Sequence, residues 1–223
     1  MNWRLLVRAG KIFDEIEQTF PDPGAYDTVM RDLKRDLLPN ENELRKIYSF
    51  MNKWFSRAPW QSFGTFCDRF RMTWNILSRF STMSLENTSM ETLIEVDREK
   101  LRLTRAVHYC FDALSLIRKV GSTPASKALH AAAPGLLVMW DTAIRKTIAH
   151  GSSGYHYAYV FLPAMKESIE DAIQSYVKEK DCDRTDAIEQ IGRERGRNYT
   201  LAKMIDEFNW ITITKRRKLD LTN

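Results

Sequence analysis

Residues 116–151, LIRKVGSTPASKALHAAAPGLLVMWDTAIRKTIAHG, decide how the rest of the chain is read. An outgoing helix is expected to end near Lys119, and Gly121 offers the left-handed backbone conformation that other residues avoid. Ser122 or Thr123 stands where it can cap the next helix, with Pro124 in its first turn, where a missing N–H is harmless. Lys127 sits about one turn further on. Pro134 and Gly135 stop that helix. Leu136 to Trp140 is an unbroken apolar run and is expected inside the protein. Asp141 follows at once as a helix start, and Trp140, Ile144 and Ile148 share one face around it.

Outside this stretch the apolar spacing is helical almost throughout. Leu5, Leu6, Ala9, Ile12, Phe13 and Ile16 mark a first helix over 2–20, ended by Pro21-Asp22-Pro23-Gly24. A more polar helix is expected over 26–38, and Asn40 with Glu43 has the form of a capping box opening a third. That helix carries a stripe of Leu44, Ile47, Tyr48, Met51, Trp54 and Phe55. The next, over 63–80, carries Phe66, Phe70, Trp74, Ile76 and Leu77. Aromatic residues at this spacing read as core, with a base-stacking surface as the alternative. A short helix is expected over 91–96 and a long one over 97–118. Beyond Gly151, helices are expected over 155–180, with a kink at Pro163, over 183–196 and over 200–209. Ile211-Thr212-Ile213-Thr214 alternates and is β-branched, the one strand-like piece, too short for a sheet. The expected fold class is all-α, a compact domain of roughly nine or ten helices over 1–223. Lobes 1–115 and 116–210 and a basic tail 211–223 can be distinguished within it.

The chain is 43% hydrophobic and 28% charged, the balance of a folded domain rather than of a disordered one. No apolar run reaches about 18 residues, so no membrane span is expected, and the N-terminal residues lack the features of a signal peptide. Cys67, Cys110 and Cys182 show no paired spacing, which argues for reduced thiols, a cytoplasmic address and neither a zinc nor an iron–sulfur site. His108, His130, His150 and His156 make no helical ligand pair and read as capping or core-edge residues, so neither metal nor cofactor is expected. The net charge of +5 comes from residues 193–218, where eight Lys or Arg face three acids; elsewhere 26 of each sign balance. Two clusters make the surplus: Arg193, Arg195 and Arg197, then Lys215, Arg216, Arg217 and Lys218. Such clusters favour polyanions, nucleic acid first, with a solvated tail as the plain alternative.

The turn at Gly121 is flanked by Ser122 and Thr123 and surrounded by Arg118, Lys119 and Lys127. It can present backbone N–H groups to a phosphate, assisted by the helix dipole. If the helices on either side fold back, Lys127 and Asp141 face a shared pocket. A carboxylate there can stabilise an oxocarbenium-like sugar, and an amine of lowered pKa can attack it, a set suited to glycosidic cleavage. Read without that chemistry, Asp141 is a helix N-cap and Lys127 a solvated surface residue. Asp206 and Glu207 are then the polar face of a helix that buries Ile205, Phe208 and Trp210.

The order of helix, turn, helix and aspartate resembles the core of the helix-hairpin-helix DNA glycosylase superfamily, itself all-helical. The resemblance covers about 35 residues, with a single hairpin glycine. It implies that Val120-Gly121 is the remnant of the hairpin that grips the DNA backbone, and that Lys127 is the lysine of bifunctional members. Asp141, in Val138-Met139-Trp140-Asp141, would be the catalytic aspartate, followed by Thr142, Ile144 and Arg145 much as polar, apolar and basic residues follow in the family. The implied partner is DNA, held by Gly121, Ser122, Thr123, Arg118, Lys119 and Arg145 and by Lys215, Arg216, Arg217 and Lys218. The implied activity is N-glycosidic cleavage of a flipped base. The alternative is a non-enzymatic helical module that keeps only the fold and binds nucleic acid or a protein partner.

Overall fold

The computed structural model describes residues 1–35, 37–53, 57–197 and 199–220, so Trp54 and Phe55 of the aromatic stripe lie outside the described residues. Among those residues there are ten α-helices, and the class is all-α. They are α1 Trp3–Glu17, α2 Ala25–Asp32, α3 Glu41–Met51, α4 Phe63–Leu77, α5 Leu103–Ser115, α6 Ser122–Ala132, α7 Thr142–Ile148, α8 Leu162–Lys180, α9 Arg184–Arg195 and α10 Leu201–Asn209. Local chemistry sets several of their ends. At the start of α3 the Glu43 N–H donates to Asn40 Oδ1 at 3.0 Å and the Asn40 N–H donates back to Glu43 Oε2 at 2.9 Å. Asp183 and Thr200 cap α9 and α10 through their side chains. Pro163 falls in the first turn of α8, directly after a π-helical segment, His156–Phe161. Helical backbone thus runs through Pro163 from residue 154 to residue 180, with the π-helical segment standing just before the proline.

Two segments differ from their expected form. Residues 91–118 do not make a short and a long helix. Leu93–Val96 (β1) pairs antiparallel with Glu99–Arg102 (β2), and α5 starts only at Leu103. Ile94 and Val96 point into the core while Leu93 and Glu95 face out, an alternation that only a strand provides. The two-residue turn places both Asp97 and Arg98 in the left-handed region, at φ +50° and +69°. Asn75 Nδ2 donates to the Asp97 carboxylate at 2.6 Å, tying that turn to α4. The other difference is at Ile211–Thr214, where the alternating residues continue α10 as a π-helical turn, Trp210–Thr214, instead of a strand. Thr212 satisfies its hydroxyl on the Phe208 carbonyl at 2.7 Å, one turn back, a bond that helical backbone supplies.

The core positions the site. Most of the buried apolar residues form one continuous cluster, and Ala9, Phe13 and Ile211 form a smaller one. α6 runs through the larger, with every residue from Pro124 to Ala132 buried. Its Ala- and Ser-rich sequence lets α3 and α5 both pack closely against it. α1 packs against α8, α9 and α10, which brings the N-terminal helix to the C-terminal end of the chain. Among the described residues no helix is long and apolar enough to cross a membrane.

Candidate functional site

The turn that leads into α6 is built as follows. α5 ends at Ser115, earlier than Lys119, and Lys119 itself is left-handed at φ +66°. Gly121, at φ +77°, ends the turn, and nothing crowds the position where its Cβ would be, so backbone conformation alone calls for glycine. Ser122 and Thr123 are the first two residues of α6 and do not cap it; Gly121 occupies the cap position without a side-chain bond. Arg118 and Lys119 are exposed, and the Ser62 hydroxyl anchors the turn by donating to the Arg118 carbonyl at 2.9 Å.

After Pro134 and Gly135, residues Leu136–Trp140 cross the interior without helical structure, none of them more than 3% exposed. Buried irregular backbone has to find partners for its polar groups, and here side chains supply them. His130 Nδ1 donates to the Leu137 carbonyl, and the Tyr157 hydroxyl donates to the Val138 carbonyl at 2.7 Å. The Trp140 N–H donates to Ser126 Oγ at 3.2 Å and its indole N–H to the Ser122 carbonyl at 3.2 Å. With Nδ1 committed as a donor, His130 Nε2 accepts from the Tyr26 hydroxyl at 3.0 Å. Burial holds this histidine neutral, its pKa pushed down to about 3. Trp140 is thereby fixed and Asp141 is delivered to the start of α7.

Asp141 caps α7, its Oδ1 accepting the Ile144 N–H at 2.9 Å. Its Oδ2 accepts the Thr214 hydroxyl at 2.6 Å, which ties α7 to the π-helical turn after α10. Beside it lies a cavity of about 380 Å³, inside the range of roughly 300–1,000 Å³ that small-molecule sites occupy. Phe13, Phe20, Trp140 and Trp210 give it aromatic walls. Thr123, Lys127, Asp141, Thr142, Asp206 and the exposed Arg57 bring polar groups to it. The rings also brace each other, Trp210 standing edge-on to Phe13 at 5.4 Å and to Phe20 at 5.9 Å between centroids.

Lys127 is not a solvated surface residue. It is 5% exposed, and its Nζ donates to the Lys53 carbonyl at 2.6 Å. Burial lowers its pKa to about 7, while Asp206 and Asp141 oppose the shift, so a neutral amine is available near neutral pH. Nor are Asp206 and Glu207 a polar outer face, since both are buried. Lys203, also buried, reaches Asp206 at 3.2 Å and Glu207 at 3.5 Å. Burial raises the Asp206 carboxyl to about 6, with Lys203 pulling it back. Burial works against the Lys203 ammonium too, but Glu207 and Asp206 outweigh it and leave that group above its usual value. The apolar residues of α10, at positions 201, 202, 204, 205 and 208, lie on one side of the helix, opposite Lys203, Asp206 and Glu207. That spacing reads as a solvated polar face, and only the packing of α1 against α10 buries it, so the sequence carries no signal for the burial of these charges.

The other expected nucleic-acid residues divide between this cavity and elsewhere. Val120 and Thr123 line the cavity, so the Gly121 turn with exposed Arg118 and Lys119 borders it. Arg145 lies one turn past Asp141 on α7, half-buried, with a buried Nε that has no hydrogen-bond partner among the described residues. Lys215, Arg216, Arg217 and Lys218 are exposed, and Lys215 Nζ sits 4.7 Å from the centroid of the Trp210 ring. The first basic cluster is used internally. Arg195 is 2% exposed and paired with Asp14 and Glu207, Arg197 reaches Asp14, Glu17 and Asp27, and Arg193 bonds Glu189. The structure thus gathers Lys127, Asp141 and the turn around one cavity. It adds Phe13, Asp206 and Trp210, which the sequence reading assigned to helix faces, and Phe20, which it placed at the end of the first helix. No protein-family model matches the chain, and no curated protein or solved structure shows a significant match to it.

Proposed function

We propose that this cavity receives a base flipped out of DNA and that the protein is a DNA-binding enzyme of the DNA glycosylase type. One observation carries the reading: a buried lysine of lowered pKa and a helix-capping aspartate share an aromatic-walled cavity bordered by a glycine turn. In this reading the backbone N–H groups at the start of α6 take a phosphate. Arg118, Lys119, Arg145 and the segment Lys215 to Lys218 neutralise others. The extruded base lies between the aromatic rings, and its sugar faces Asp141. The Asp141 carboxylate, oriented by Ile144 and Thr214, stabilises positive charge on the sugar as the N-glycosidic bond opens. The neutral Lys127 amine forms a bond to the sugar's anomeric carbon. The base departs with the bonding electron pair and takes up a proton, and the amine releases one.

The test is abasic-site formation on duplexes carrying damaged or mismatched bases, with borohydride added to trap an amine–sugar adduct. Asp141→Asn is expected to lower cleavage at least about a hundredfold, the scale seen when a charge-stabilising group is removed. Lys127→Met is expected to abolish the trapped adduct. A second reading, a helical DNA-binding module without cleavage, is favoured by one feature: both Asp141 oxygens already hold hydrogen bonds within the protein. Salt-dependent DNA binding without any cleavage would select it. Absence of both would overturn both readings.

A further inference from the structure

The polar groups of the cavity differ in what they have left to offer a ligand. Asp141 has one hydrogen bond on each oxygen. The Lys127 amine donates to the Lys53 carbonyl. Asp206 is different. It lines the cavity at 7% exposure, and Lys203 Nζ occupies only Oδ2, at 3.2 Å. No described residue donates to its Oδ1. That oxygen keeps some access to the cavity, where a donor on a ligand can reach it and gain a hydrogen bond to a charged acceptor. Lys203 keeps the carboxylate in place, and Lys203 is itself held over the Phe13 ring, at 4.4 Å from its centroid, and bonded to Glu207.

Resting on the base-pocket reading above, we infer that Asp206 is a specificity-determining residue whose Oδ1 accepts a hydrogen bond from the exocyclic amino group of the bound base. The preferred ligands are therefore amino-bearing rings, of the adenine, cytosine and guanine kinds. A uracil- or thymine-type edge also offers an N–H, but two carbonyl oxygens flank it. Those oxygens would be brought toward Asp206 and toward the neighbouring carboxylates of Glu207 and Asp141. Like partial charges then oppose the one hydrogen bond gained. The groups facing the Asp206 carboxylate are Lys203 and Glu207 of α10, Asp141 at the start of α7 and Lys127 of α6. Ionised at neutral pH, Asp206 is an acceptor; protonated below about pH 6, it loses that role on one oxygen.

The experiment is calorimetric or NMR titration of the full chain with two matched ligand pairs, 9-methyladenine against 9-methylpurine and 1-methylcytosine against 1-methyluracil. The methyl group stands where the sugar would be, and the first pair differs only in the amino group. At about pH 7.5 the amino-bearing member of each pair should bind about ten- to a hundredfold more tightly, the worth of a hydrogen bond to a charged acceptor. Asp206→Asn should shrink that preference to within about twofold. Equal binding by wild type, or a preference that survives in Asp206→Asn, overturns the inference and leaves the base pocket standing. If none of the four ligands binds, the base pocket itself fails, and the inference with it. Should Asp206→Asn not fold, wild type at about pH 5.5 replaces it: the preference should narrow there, and an unchanged preference overturns the inference.

Discussion

Two clusters of positive charge lie close together in the sequence and meet opposite fates. Arg193, Arg195 and Arg197 stand at the end of α9, and Lys215 to Lys218 follow α10. Arg195 is drawn inside, where its guanidinium donates to both Asp14 oxygens at 2.7 and 2.9 Å and to both Glu207 oxygens at 3.0 and 3.2 Å. It lies so close to α1 that a Cβ on Gly10 would come within 2.0 Å of its Nε. Burial alone would lower the affinity of this group for its proton, but Asp14 and Glu207 outweigh burial and raise it. Among the described residues the second cluster makes no ion pair, and it stays in solvent. Charge density along a chain therefore does not predict a charged surface. What decides is whether acids on other helices converge on the same point, and α1 and α10 provide them in one case only.

The contrast can be broken most forcefully at Arg195. Replacing it with Ala leaves Glu207 and Asp14 without their shared partner, and Glu207 is fully buried. Removing one member of a buried ion pair costs about 3–5 kcal/mol, a large part of the roughly 5–15 kcal/mol that stabilises a domain. Urea denaturation should show that loss. Gly10→Ala should lose a substantial share of it by displacing the same guanidinium from α1. A change at Arg195 no larger than that of an exposed arginine would refute the division between the clusters.

Next in size is Lys127, a buried amine whose Nζ donates to the Lys53 carbonyl, where Arg195 meets two carboxylates. Its pKa is about 7 in the folded protein against 10.5 ordinarily. Between those values the unfolded chain holds a proton that the folded one lacks, so stability rises with pH through that window. The slope is at most about 1.4 kcal/mol per pH unit. The buried thiols of Cys67 and Cys110 are shifted upward and act in the opposite sense once free thiols ionise, so the clean interval ends at about pH 8; Tyr26, Tyr157 and Tyr199 follow. Denaturation midpoints from about pH 7 to 8 should climb for wild type and climb less or stay flat for Lys127→Met. A flat wild-type profile would mean that the amine is charged in the cavity, and the nucleophilic role would fall.

These sites also show how far the sequence could be read. The helices were legible because apolar spacing and capping residues are local, as at Asn40 and Glu43, and so was the burial of Leu136–Trp140. The β1–β2 hairpin was not, because its turn is Asp97-Arg98, without the glycine or asparagine that usually marks a left-handed pair. Ile211–Thr214 misled through β-branching, which raises strand propensity but does not forbid a helix supported by tertiary contacts, here the Thr214 bond to Asp141. Asp141 could be singled out from its place after an apolar run. Asp206, Phe13, Phe20 and Trp210 could not, since only the packing of α1 on α10 makes them neighbours of it.

The smallest effect on folding belongs to the second cluster. Replacing Lys215, Arg216, Arg217 and Lys218 together with Gln should leave the denaturation midpoint unchanged, because exposed charges without ion-pair partners contribute little. Its effect should appear on DNA instead. If the four side chains contact phosphates, removing them should flatten the log–log dependence of affinity on salt by about 3 to 4 units, at roughly 0.9 per contact. Fluorescence anisotropy across a salt series measures this directly. Lys215 sits over Trp210, a wall of the cavity, so its contact is the one placed to link strand binding to base binding. Lys215→Gln alone should therefore cost about one unit of slope and also weaken cleavage, whereas Lys218→Gln should cost slope only. A quadruple variant with an unaltered slope would assign this cluster to solvation and leave DNA binding to Arg118, Lys119 and Arg145. In that event neither cluster would form the strand-binding surface, one being paired with the protein's own acids and the other idle in solvent.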